Sequence, residues 1–236
     1  MKNKIALNGT NLKLIAIILM VTDHLGALIF PEITILRIIG RLAFPIFAFL
    51  ICEGVEHTHN FKAFATNLLV FAVISEPFFD YAIYGKIFWG HQNIFFTLLV
   101  GVVTIHFCET QGTWIWGMIG MVVGEAIKAD YGAFGVMLIV MLWYQRKEMW
   151  QLVCSVSTFA VGYCLFEVMG IFRFGITFSM ILPCLYELWS LLAIPIICCY
   201  NGERGKMVGN PRITKYAFYA FYPLHFLILS IIGNII

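Results

Sequence analysis

The apolar runs in this chain are longer than a fold in water can bury. Leu12–Met20 continues directly into Val21–Phe30 with few polar breaks. About twenty such residues, rising 1.5 Å each in a helix, match the roughly 30 Å hydrocarbon core of a bilayer. Nine segments of this kind follow one another, at 10–30, 34–54, 63–84, 92–108, 113–128, 130–145, 150–171, 175–200 and 215–235. Hydrophobic residues make up 61% of the chain and charged residues 12%. Soluble domains carry about 45–50% and about 25%, so water could not be faced by so little polar surface. Barrel strands would alternate polar and apolar positions over about ten residues. Continuous runs instead predict helices, which satisfy their own backbone groups in lipid.

The expected fold is therefore all-α: a polytopic transmembrane helix bundle of eight or nine spans. The fifth and sixth segments are short, and only Ala129–Gly132 separates them, so they are candidates for a re-entrant pair. No linker or low-complexity tract interrupts the series, which reads as one membrane domain over 1–236. Lys2, Lys4 and Lys13 precede an apolar run that holds Asp23 and His24, and it reads as a retained first span, not a cleaved leader. The net charge of +2 does not point to nucleic acid. Seven cysteines lie mostly inside apolar runs without a CxxC pair, which fits small buried hydrophobes better than disulfides or zinc.

Basic residues orient the chain. If the N-terminus is cytoplasmic, the loops holding Lys62, Arg146–Lys147 and Arg204, Lys206, Arg212 and Lys215 are cytoplasmic too. The opposite side keeps Lys86, Lys128 and Arg173. The expected place is the bacterial cytoplasmic membrane, crossed many times.

Charged side chains inside spans cost about 2.5–3.5 kcal/mol each at mid-membrane, so they face protein, a water cavity or a site. Here they gather in one half, the extracytoplasmic one. Asp23 and His24 lie late in the first span, while Arg37 and Arg41 lie early in the second, four apart on one face. Glu76 and Asp80 are likewise four apart near the end of the third. His91, Gln92 and Asn93 open the fourth, and Glu125, Lys128 and Asp130 cluster where the fifth meets the sixth. Structural ion pairs such as Arg37–Glu76 or Arg41–Asp80 are one explanation. A polar chamber roofed by several spans explains the group as a whole.

His24 is a candidate general base near neutral pH. Asp23 beside it points about 100° away on a helix, so Glu76 or Asp80 are equally available to orient it. His225 in the last span is a second candidate. On the other side, Glu53, Glu56, His57 and His59 read as a solvated loop, and no metal site is expected. Phosphate-binding, nucleophile-elbow and HExxH motifs are absent.

Several segments together resemble the TraX family. They are LKLIAIILMVTDHLG at 12–26, LRIIGRLAFPIFAF at 36–49, ISEPFFD at 74–80, QNIFFT at 92–97, DYGAFG at 130–135 and YAFYAFYPLH at 216–225. The resemblance covers nearly the whole chain and is weakest at about 146–200. It implies acetylation of a pilin N-terminus, and kinship with transmembrane acyltransferases that draw on cytoplasmic acyl-CoA. What it implies here is an acetyltransferase that consumes acetyl-CoA. His24 would be the base with Asp23 beside it. Arg37, Arg41, Glu76, Asp80, Asn93, Asp130 and His225 would line the chamber. Arg146, Lys147, Arg204 and Lys206 would meet the polyanionic nucleotide. The acceptor would be a peptide, a protein N-terminus or a saccharide, with lipid as the surrounding partner. The rival expectation is a proton-coupled transporter or flippase, which would use the same charged cluster.

Overall fold

In the computed structural model, residues 6–172, 178–205, 210–233 and 235 are described. Their helices are α1 (Gly9–Leu28), α2 (Thr34–Gly40), α3 (Ala43–His57), α4 (Phe61–Tyr84), α5 (Ile94–Gln111), α6 (Ile115–Ala126), α7 (Gly132–Gln145), α8 (Met149–Phe172), α9 (Phe178–Cys184), α10 (Ala193–Cys198) and α11 (Pro211–Gly233). A 3-10 segment, Leu185–Leu192, joins α9 to α10. Among the described residues, seven helical stretches are long and apolar enough to cross a membrane, including α2–α3 taken together and Ile181–Cys198. The protein is thus an all-α, multi-pass membrane protein. α6 and α7 are the two shorter apolar helices, and they are the segments the sequence marked as a candidate re-entrant pair.

Local chemistry sets the element ends. Asn8, Asn60 and Asn93 cap α1, α4 and α5 by accepting backbone N–H groups of the first turn. Gly85 and Gly112 end α4 and α5 in left-handed conformation. Pro45 explains the split of the second span. Its ring has no N–H to give Arg41 and clashes with that carbonyl, so α2 stops at Gly40 and α3 restarts with the proline in its first turn.

α1 packs on α2, α3 and α11, α4 packs on α5 and α11, and α5, α6 and α7 pack together. Side chains such as Leu12, Ile46, Val102, Leu138 and Phe159 fill the interior without solvent contact. The outside is apolar as well, with Ile18, Val73, Val122, Leu165 and Ile228 exposed. Only lipid accommodates a surface of that kind. α1 and α2 approach closely because glycines face each other's helix. A Cβ at Gly26 would lie 2.8 Å from Leu36 Cβ, and one at Gly40 would collide with Asp23.

Candidate functional site

The close approach of α1 and α2 brings both arginines of α2's face onto one carboxylate. Arg41 clamps Asp23 through two 2.6 Å bonds, and Arg37 meets it at 2.5 Å. Arg41 also reaches the Tyr131 hydroxyl at 3.3 Å and Glu187 at 3.5 Å. The expected pairs Arg37–Glu76 and Arg41–Asp80 do not form, because α2 lies on α1 and Asp23 is nearer. Asp23 is consequently an anchor for arginines and not the carboxylate that orients His24. Tyr131 sits in a left-handed conformation at φ 61°, held by stacking on Phe44 at 4.1 Å. Strain of that sort persists where surrounding structure fixes the residue, as at binding sites.

His24 finds its partner across the bundle. Its Nδ1 lies 2.8 Å from Nε2 of His225 on α11. His225 Nδ1 lies 3.3 Å from the Phe221 carbonyl. A carbonyl oxygen only accepts, so this contact assigns the proton to His225 Nδ1. The neutral ring's Nε2 must then accept from His24 Nδ1–H, which leaves the lone pair of His24 on Nε2. Neither Glu76 nor Asp80 takes part. A second histidine does what the sequence reading looked for in a carboxylate.

Those two acids have other partners. Glu76 accepts from the backbone and the side-chain amide of Asn93. Asn93 also donates to the Ala72 carbonyl at 2.8 Å, and its own oxygen accepts from Phe95 N–H at 3.0 Å. Its amide is fully used, so it is not a spare donor for a reacting group. Asp80 accepts from Phe88 N–H at 2.9 Å. No cation pairs with Glu76 or Asp80 among the described residues, and each keeps one buried oxygen without a partner. Asp130 lies 3.9 Å from His91, and its carbonyl accepts from the Thr97 hydroxyl. Backbone bonds between Gln92 and residues 128 and 130 tie the loop before α5 to the loop between α6 and α7.

Below this polar layer, toward the start of α1, lies a cavity of about 580 Å³. It follows α1 from Gly9 to Met20, about 16 Å at the helical rise. Lys13, Arg204, Lys215, His57 and His59 line its N-terminal end, while Met20, Phe221 and Tyr222 line the far end. Met20 and Phe221 stand one turn below His24 and His225. The expected nucleotide contacts divide. Arg204 lines the cavity, but Arg146 is buried in pairs with Glu53 and Glu56, and Lys147 also meets Glu56. Those glutamates are therefore ion-paired, not the freely solvated loop expected. Lys206 and Arg173 lie outside the described residues. Among the described residues, no group of His, Cys, Asp or Glu is arranged to hold a metal ion.

Sequence reasoning missed Glu187, Tyr131 and Lys13, whereas Lys215 belongs to the basic stretch 204–215 expected to meet the nucleotide and does line the cavity. Glu187 had a readable signal, a lone acid within the apolar segment 175–200. Lys13 had none, since nothing in a sequence places it at a cavity.

Comparison with known proteins gives a consistent picture. The family described as TraX protein matches residues 8–233. A probable fimbrial assembly protein of Dichelobacter nodosus, FimC of serogroup H1, is 27% identical over 97% of each chain. The protein TraX of Escherichia coli K12 is 25% identical over 54% of this chain and 52% of its own. An uncharacterized protein of Rickettsia prowazekii, RP591, is 34% identical over 46% of this chain and 42% of its own. No solved structure matches.

Proposed function

The chain belongs to the TraX family, and from that premise we propose that it is a membrane-embedded acetyltransferase that moves an acetyl group from cytoplasmic acetyl-CoA to an amine or hydroxyl acceptor in the polar layer. The observation that carries this reading is the histidine pair, whose bonding leaves His24 Nε2 as a free base. The acceptor's N–H or O–H loses its proton to that nitrogen as it attacks the thioester carbonyl. The C–S bond then breaks, and the departing thiolate takes the proton from His24. Acyl donor and acceptor become acylated acceptor and free CoA, with atoms and charge balanced. His225 stabilises the transient imidazolium by accepting its Nδ1–H.

Arg37 is the donor suited to the developing oxyanion. Arg41 spends its N–H groups on Asp23, Tyr131 and Glu187, whereas among the described residues Arg37 bonds only through Nη1 to Asp23. Its remaining N–H groups are available. The cavity supports an approach of the donor to within one turn of the pair. The cations Lys13, Arg204 and Lys215 at its mouth suit the nucleotide phosphates, and its length suits the thioester arm. A peptide N-terminus, a pilin-type one first of all, is the acceptor to try, given the relative named for fimbrial assembly.

The test is thiol release and acceptor acetylation by the purified protein in detergent, with acetyl-CoA and a peptide bearing a free N-terminus. His24→Ala should lower turnover by about 10²- to 10⁴-fold while binding persists. Folded protein that neither binds acetyl-CoA saturably nor releases thiol would leave the transporter reading, and proton-flux measurements would follow.

A further inference from the structure

The histidine pair is walled on one side by a single ring. Phe226 has no solvent exposure, and its ring lies 4.5 Å from that of His24 and 4.2 Å from that of His225. Tyr222 and Phe79 pack edge-on against it, at 5.2 Å and 5.6 Å, and keep it from turning aside. The cavity below ends at Met20, Phe221 and Tyr222, a turn short of the pair. An acyl group reacting at His24 must place its alkyl chain somewhere beside these rings. The other neighbour in the layer is the Asp23–Arg37–Arg41 ion cluster, a poor environment for methylenes. The apolar volume directly against both imidazole rings is filled by Phe226.

We propose that Phe226 is the residue that sets the length of the transferred acyl chain, restricting the enzyme to the shortest acyl groups. It is a specificity residue: it closes the space a longer chain would need and takes no proton. The assignment rests on the acyltransferase reading above. An apolar pocket discriminates each methylene by roughly 10- to 200-fold at best. Opening this one should therefore change a preference between chain lengths by an order of magnitude or more.

The experiment compares acetyl-, butyryl- and hexanoyl-CoA on wild type, Phe226→Leu and Phe226→Ala in detergent, each with the same peptide acceptor. The quantity read is the hexanoyl-to-acetyl ratio of kcat/KM within one variant, in which the fraction of folded enzyme cancels. Wild type should favour acetyl. The ratio should rise tenfold or more in Phe226→Ala, with Phe226→Leu between the two. Chain lengths that all slow in parallel, or a wild type that already accepts hexanoyl as readily as acetyl, would overturn the assignment and leave Phe226 as packing alone. Folded wild type that consumes none of the three donors would instead refute the acyltransferase reading, and this assignment with it.

Discussion

Asp23 carries the charge balance of the α1–α2 contact. Two guanidinium groups converge on its carboxylate, and among the described residues only Arg41 forms a second ion pair, with Glu187 at 3.5 Å. Removing one partner of a buried ion pair leaves the other charge uncompensated, which costs about 3–5 kcal/mol. Asp23→Ala should therefore lower unfolding stability in detergent by about that amount, and Asp23→Asn by less, since an amide oxygen still accepts. Loss of turnover at unchanged stability would return Asp23 to the role of His24's orienting partner. The members of this cluster were legible in the sequence, because a charge within an apolar run is conspicuous at a cost of a few kcal/mol. The pairing was not. It depends on which helix lies beside which, and periodicity along one helix does not contain that.

Helix-to-helix distance is what turns these residues into a site, and glycine controls it. A Cβ at Gly40 would overlap Asp23, while one at Gly117 on α6 would meet only Val140 Cγ1 at 3.8 Å, an ordinary contact. Overpacking a close contact typically costs about 1–3 kcal/mol, whereas Gly→Ala in an open helix position gains about 0.5–1 kcal/mol in helix propensity. Gly40→Ala is thus expected to lower the melting temperature and to abolish acyl transfer, and Gly117→Ala to raise or preserve both. Equal tolerance of the two changes would mean that α1 and α2 do not pack as described. At this scale the sequence showed the apolar segments and the shortness of α6 and α7, since both follow from run length. It did not show the break at Arg41–Leu42 or the 3-10 stretch Leu185–Leu192. The first needed Pro45 to be weighed against a span that looked continuous. The second places Glu187 and Ser190 three residues apart, and therefore on one face of a 3-10 turn, both buried.

For the molecule as a whole, the reading stands or falls with orientation. Acyl-CoA is supplied from the cytoplasm, so the mouth holding Lys13, Arg204 and Lys215 must open there. That mouth lies at the start of α1, where Leu7 pairs with Tyr200. Long helices alone number seven among the described residues, and α6 and α7 form one consecutive pair. Whether that pair crosses fully or turns back changes the crossings by two or by none, so the start of α1 and the end of α11 face opposite sides either way. Lys62, Arg146, Lys147, Arg204 and Lys215 fall on the side of the mouth, against Lys86 and Lys128 opposite. By the positive-inside rule that side is the one expected to face the cytoplasm. Alkaline phosphatase fused after Ile236 in a bacterial host should then be active, as it is only outside the cytoplasm, and a fusion in the loop at Lys147 should be silent. The reverse pattern would point the cavity away from its donor and defeat the acetyl-CoA reading, whatever His24 can do chemically.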